Sequence, residues 1–483
     1  MSEPELTAAD VRRRALSGIA TMGLRSLLVR VLGLLGNVVL ARLLAPEEFG
    51  YIAFGYALLV VGGFLSTGGL ASSLVNRSTP PERRELQAVV ALQLSITLAA
   101  TAIVALIGLG GAGKAAYVAA IMMASMPFDV LKGPNSLGLE RTLDYKLLAS
   151  VEVTEILTYN IIAVVAVVAG AGVWGVAGAA VLRAVVGSTL LSARGPYGFV
   201  GPRWRWASVR PLLGFGLRFQ ATSLVVVVRD QGLNLLITAV AGIATLGLWS
   251  IAWRLLQTVY LLFESLLRVL FPAMSRLLER EGSIGPTLQR GVRLATLSTG
   301  FAVVPLIGAA QILVPVVFGA KWNETAQVLP WAAAGLLISG PVAASLTGFL
   351  LAKGDASTVL RIGAVQAMLW LVGTAVLLPA IGTEGIGIAM LASSVVELAL
   401  FDRATRVAAG IDIALTIAPI CLCALAAGLG GLLLERQLSH DVLSLIIVGG
   451  AAELAYIMLM VATGNRGVLA QLVRVSRVAV GQS

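Results

Sequence analysis

Apolar stretches of about twenty residues follow one another along the whole chain, separated by short polar turns. A run of that length crosses the hydrocarbon core of a bilayer as a helix. Fourteen spans are predicted. The first six lie near 19–40, 50–73, 87–110, 115–132, 150–170 and 173–193. The next four lie near 211–240, 245–275, 292–319 and 327–352, and the last four near 358–380, 384–402, 413–434 and 442–463. The pattern therefore predicts an all-α, polytopic membrane protein.

Lysine and arginine fix the orientation. With the N-terminus in the cytoplasm, the inner segments hold 25 of the 35 basic residues and the outer turns only Arg42, Lys114, Lys321 and Arg436. Among those assigned to the inner side are Arg83, Arg84, Lys132, Arg141, Arg194, Arg203, Arg205 and Arg210. A missed span would invert every later loop and erase that bias. Both termini are thus expected in the cytoplasm, in the inner membrane of a bacterial cell.

Composition agrees and narrows the function. Of 483 residues, 58% are hydrophobic and only 12% charged, against roughly 25% charged in soluble proteins. The net charge of +10 follows from the positive-inside bias, and nucleic acid is not an expected partner. Cys421 and Cys423 sit in an apolar run and His440 in a short polar turn, so no disulfide framework, metal centre or histidine acid–base site is expected. Residues 1–14 are polar and the first apolar segment is long enough to span, so no cleavable signal is read there. Loops are short throughout, with no nucleotide-binding cassette and no cofactor motif. The glycine-rich stretches at 108–113 and 428–431 end or interrupt apolar helices, where a kink or close helix packing accounts for them.

A weak internal repeat appears at an offset of 197 residues. GNVVLARLLAPEEFGYIAFGYALL (36–59) aligns with LNLLITAVAGIATLGLWSIAWRLL (233–256), pairing Asn37 with Asn234 and Gly50 with Gly247. The reading is two six-helix lobes in parallel orientation, residues 1–195 and 196–408, followed by a closing helix pair and tail at 409–483. Parallel repeats suit a transporter that holds its substrate between the halves.

Beyond the basic residues counted to the inner side or the outer turns, six arginines remain inside spans: Arg30, Arg183, Arg218, Arg229, Arg254 and Arg268. Each faces a cost of about 2.5–3.5 kcal/mol at the bilayer centre unless it snorkels or lines a wet cavity. Arg183 is late in its span and is read as snorkelling. Arg218 and Arg229 are 11 residues apart and share a face, as nearly do Arg254 and Arg268, 14 apart. Arg30, Arg229 and Arg254, with Arg218 and Arg268, are the candidate cationic cavity. Acids accompany them: Asp230 follows Arg229, Glu264 precedes Arg268 by one turn, and Glu152 and Glu155 share a face with Asn160. Glu397 and Glu453 lie in helices 12 and 14. These acids either neutralise neighbouring arginines or couple transport to a proton or cation, with Asp230, Glu264 and Glu155 the candidates for coupling. Arginine's planar fork suits a phosphate-bearing ligand, so an anionic lipid-linked headgroup fits better than a neutral or cationic drug.

At ARLLAPEEFGYIAFGYALLVVGGFLSTGGLASSLVNR (41–77) the chain resembles the polysaccharide-biosynthesis flippases, O-antigen and exopolysaccharide transporters of the Wzx type. These belong to the multidrug/oligosaccharidyl-lipid/polysaccharide exporter superfamily. The resemblance returns at LGLERTLDYKLLASVEVTEI (137–156), AGVWGVAGA (171–179), LGLWSIAWRLLQTV within 246–277 and VFGAKWNETAQVLPWAA (317–333). It implies fourteen helices in two lobes around an alternately open cavity. It also implies translocation of an undecaprenyl-pyrophosphate-linked oligosaccharide from the inner to the outer leaflet, with membrane lipid and a polysaccharide polymerase or assembly complex as partners. A drug exporter of the same superfamily would favour acidic cavity helices. A membrane polymerase or glycosyltransferase would need a larger catalytic loop, and a scaffold role in polysaccharide assembly is the remaining alternative.

Overall fold

In a computed structural model, residues 28–69, 74, 80–142, 144–281 and 285–464 are described; at 112, 208, 211–219, 221–223 and 261–281 the description is of the backbone alone. Fourteen long helices run through the described residues, and every regular element among them is helical. They are α1 (28–43), α2 (Pro46–Thr67), α3 (Arg83–Ile107), α4 (Gly113–Arg141), α5 (Tyr145–Val168) and α6 (Gly172–Arg194). There follow α7 (206–241), α8 (243–281), α9 (Gly285–Gly308), α10 (Asn323–Ala352), α11 (Ala356–Ile381), α12 (Glu384–Ala409), α13 (Ile413–Glu435) and α14 (Val442–Ala462). Among the described residues, twelve segments are long and apolar enough to cross a membrane, with α7 and α8 contributing one continuous segment, Leu224–Tyr260. This is a multi-pass membrane protein.

Local chemistry sets the ends. Pro46 opens α2 at a position whose N–H would have no helical partner, and Glu48 reaches back to accept from the Ala45 N–H at 3.2 Å. Asp355, Asp412 and Asp441 cap α11, α13 and α14, accepting from the N–H groups of Thr358 (3.1 Å), Leu415 (3.0 Å) and Ser444 (2.7 Å). The glycine-rich stretch after α3 is a five-residue wide turn, Gly108–Ala112, in which Gly111 takes φ 98°; only glycine adopts that conformation cheaply.

The helical stretch Trp206–Glu281 is broken at Gly242 (φ 85°, ψ 174°), which separates α7 from α8. The corresponding break between α1 and α2 falls at Ala45 (ψ 159°). The two breaks are 197 residues apart, the offset of the sequence repeat. The predicted end of span 4 at 132 needs correction, because α4 continues to Arg141. The helix passes through Pro134; neighbouring helices make such a proline tolerable in a membrane.

The chain divides into two compact units, Met1–Leu235 and Leu236–Ser483. In the first, α2 lies against α4 with Gly55 and Gly62 under Met122 and Met126, where an added Cβ would approach sulfur or methyl carbon to 2.5 and 2.8 Å. Asn160 of α5 donates to the Leu32 carbonyl of α1 at 3.1 Å, over the gap left by Gly36. In the second unit α9 meets α13 backbone to backbone, since a Cβ on Gly431 would stand 2.7 Å from the Gly308 Cα. Small residues of this kind let membrane helices gain dispersion contact that larger ones would prevent.

Candidate functional site

Four ionisable side chains meet inside the first unit. Lys132 Nζ on α4 lies 2.8 Å from Asp129 Oδ1, one turn away, and 2.7 Å from Glu155 Oε1 on α5. Arg183 on α6 faces the same two acids at longer range, 3.4 Å to Asp129 and 3.8 Å to Glu155. Glu155 is 5% exposed, and Gly187 makes room for it, because a side chain there would overlap the carboxylate. Two acids and two bases cancel, which is how a membrane interior can hold four charges.

Two cavities flank this cluster. One of about 370 Å³ lies among α2, α3 and α4, lined largely by apolar residues such as Leu59, Val89 and Val130, with Asp129 and Arg183 also in its wall. The other, of about 290 Å³, is lined by Lys132, Glu152, Glu155 and Arg183 together with apolar residues. Arg183 belongs to both walls. Its reading as a snorkelling residue is therefore corrected: the guanidinium turns to Asp129 and Glu155. Lys132 is corrected too, from an inner-loop cation to a half-buried one inside α4. Asp129, Lys132 and Arg183 are the polar residues that sequence reasoning missed as a group. The available signal was the Asp129–Lys132 spacing of one helical turn, hidden by the assumption that the helix ends at 132.

The predicted cationic residues are placed as follows. Arg229 on α7 is half-buried and its Nε donates to Asp230 Oδ1 at 2.7 Å. Arg30 on α1 and Arg254 on α8 are half-buried within their helices. Arg218, Glu264 and Arg268 lie on helical backbone, and their side chains fall outside the described residues. Of the three coupling candidates, Asp230 holds Arg229, and Glu155 belongs to the cluster. Arg229 and Glu155 are thus each brought to an opposite charge.

The second unit carries different chemistry. Beside Arg254, Trp253 meets Trp249, Trp370 and Tyr260 with ring centroids 5.7, 6.0 and 6.1 Å apart, and Trp370 donates to the Ile386 carbonyl at 3.3 Å. Glu397 on α12 is 7% exposed. On α14, Glu453 keeps Oε2 buried without a hydrogen-bond partner among the described residues.

Residues 39–327, more than half of the chain, match the family described as polysaccharide biosynthesis protein. The chain belongs to that family. The matched region contains the whole four-charge cluster, Arg229 and Arg254. The chain is 23% identical over 346 residues to the lipopolysaccharide biosynthesis protein WzxC of Escherichia coli (strain K12), with 66% of each protein covered. It is 24% identical over 345 residues to the succinoglycan biosynthesis transport protein ExoT of Rhizobium meliloti (strain 1021), covering 68% of this chain and 66% of that one. The matches thus span just under two thirds of both relatives.

Among solved structures, lipid II flippase MurJ in an inward closed conformation aligns at a TM-score of 0.69 and 14% identity, over 93% of this chain and 99% of that one. An inward-facing multidrug resistance MATE family transporter of the MOP superfamily aligns at 0.57 and 16% identity, over 79% and 95%. At such identities the likeness is one of fold. The resemblance read from the sequence is thereby matched by both family and architecture, the fold being that of the MOP transporters.

Proposed function

We propose that this protein is a flippase, not an enzyme. It moves an undecaprenyl-pyrophosphate-linked oligosaccharide repeat unit from the inner to the outer leaflet of a bacterial inner membrane, by alternating access. The product serves exopolysaccharide, capsule or O-antigen assembly, and both termini are cytoplasmic. The observation that carries this reading is the presence of half-buried arginines on membrane helices, Arg30, Arg229 and Arg254, in a chain of this family. The planar fork of arginine matches the oxygens of a diphosphate. The name of ExoT supports transport in polysaccharide synthesis, and that of MurJ supports a lipid-linked cargo for the shared fold. The fold is shared with multidrug transporters, and the arginines favour the anionic lipid over a cationic drug.

The test is transport in proteoliposomes loaded with a fluorescent polyprenyl-diphosphate oligosaccharide. Replacing Arg229 or Arg254 by Gln removes a charged hydrogen-bond donor worth about 1.5–3 kcal/mol, so translocation per folded protein is expected to fall roughly ten- to 150-fold. Arg254→Lys is expected to restore little, because a single ammonium cannot grip two oxygens in parallel. Full transport by both glutamine variants would discard the arginines as headgroup contacts.

A further inference from the structure

The loop between α6 and α7, residues 195–205, is held by its backbone, yet it and the first residue of α7 expose large rings. Asn135 of α4, fully buried, donates to the Gly198 carbonyl and accepts from the Tyr197 N–H, each at 2.9 Å. Arg83 of α3 donates to the Phe199 carbonyl at 2.9 Å, and the Arg203 N–H donates to the Gln87 carbonyl at 3.1 Å. Val200 is 1% exposed, packed in a core with Leu74, Leu86 and Leu137. Against this fixed frame Phe199 is 60% exposed, Trp204 59% and Trp206 51%. Segments tied down this firmly do not leave three large rings open by fraying. The rings have a surface to meet.

Charge says which surface. Arg203 and Arg210 are exposed and Arg205 is half-exposed, and none of the three makes an ion pair among the described residues. Arg83 and Arg84, at the start of α3, and Arg194, at the end of α6, are exposed at the same end of the unit. Glu82 and Glu85 stand beside them, Glu85 accepting from the Glu82 N–H at 3.0 Å, and Glu140 and Asp144 are exposed at the end of α4, which lies against the loop at Gly138; among the described residues named at this end the arginines outnumber these acids. The result is an arginine-rich rim with exposed tryptophans at the ends of membrane-spanning helices. Tryptophan settles at the headgroup level of a bilayer, and arginine pairs there with lipid phosphate through two parallel hydrogen bonds.

We propose that Trp204, Trp206 and Phe199, with Arg203, Arg205 and Arg210, form a binding face for the headgroups of anionic phospholipids in the leaflet that surrounds this end. The rings enter the headgroup layer and the guanidinium groups hold the phosphates. In this way the loop fixes the first turn of α7 relative to the membrane surface. This assignment does not rest on the flippase reading.

The experiment is tryptophan quenching in the full chain, reconstituted in vesicles that contain no polyprenyl phosphate. Brominated phosphatidylglycerol and brominated phosphatidylcholine are compared at equal mole fraction, and the contribution of the loop is the difference from Trp204→Phe/Trp206→Phe. That contribution is expected to be quenched preferentially by the anionic lipid. The preference should fall by roughly five-fold for each of Arg203, Arg205 and Arg210 replaced by Gln, the change expected from about 1 kcal/mol per charge. These side chains are exposed, and circular-dichroism melting of each variant checks that it folds. Equal quenching by the two lipids would overturn the proposal, as would a preference unchanged in the triple arginine variant. Absence of quenching by either lipid would place the loop against water or protein and overturn it as well.

Discussion

Replacing Glu155 by Gln removes one acid from the four-charge cluster while keeping its shape. The side chain of Glu155 is 7% exposed and that of Lys132 20%, so neither charge is well screened by water. Lys132 would lose its 2.7 Å partner and retain Asp129 at 2.8 Å, for which Arg183 already competes at 3.4 Å. Breaking a buried pair from one side costs about 3–5 kcal/mol. Because Asp129 still neutralises one base, the loss is expected near the lower end, about 3 kcal/mol. The assay is a reversible unfolding titration in mixed micelles for the parent, Glu155→Gln, Lys132→Met and the double variant. A coupling of about 1–3 kcal/mol is expected, the double variant being less unstable than the sum. Additivity within about 0.5 kcal/mol would refute the reasoning. The companion is Gly187→Ala, whose methyl overlaps the carboxylate. It should destabilise the parent and be nearly silent in Glu155→Ala, where the space is empty.

Three further outcomes follow from other residues. Asp402 accepts from the N–H groups of Ile413 (2.7 Å) and Ala414 (2.9 Å) at the start of α13, so Asp402→Ala is expected to cost about 2 kcal/mol and to speed hydrogen exchange at both amides; unchanged protection would contradict this. Gly431→Leu is expected to cost about 1–3 kcal/mol by overpacking where α13 touches Gly308, whereas Gly430→Leu, which meets nothing within 4 Å, should melt like the parent. The Ser444 N–H and two serine hydroxyls hold the Asp441 carboxyl below its ordinary value of 3.8. A lowered folded-state value means that the cap contributes fully above 3.8 and is lost as pH falls through the folded value. Exchange protection of the Ser444 amide should therefore hold down to that range and decline below it, and Asp441→Asn should flatten the profile.

Most of the fold was legible because one physical demand, an apolar run long enough to span, writes itself plainly into sequence. The predicted spans 358–380 and 413–434 sit within a few residues of α11 and α13. The break at Gly242 falls in the gap between the predicted spans 211–240 and 245–275. What failed was the end of the fourth span at 132, since the helix runs on through Pro134 to Arg141. Proline stops a helix in water more reliably than in a membrane, where packing by neighbouring helices sustains it. That single misreading moved Lys132 into a loop and hid its partnership with Glu155. Arg183 was legible as an anomalous charge, but its partners are 54 and 28 positions away in the chain. No local spacing rule connects residues on three helices. The pairing of Arg229 with Asp230, by contrast, joins sequence neighbours and was open to reading.

The central claim is that this chain carries a lipid-linked repeat unit across the bilayer. The most direct measurement is made on cells lacking it, by extracting polyprenyl-linked oligosaccharides and probing which leaflet holds them. Accumulation of single repeat units on the cytoplasmic leaflet, with surface polymer lost and both restored by the parent gene but not by Arg229→Gln, is the result expected. Accumulation on the outer leaflet would contradict the claim and point to a defect in polymerisation.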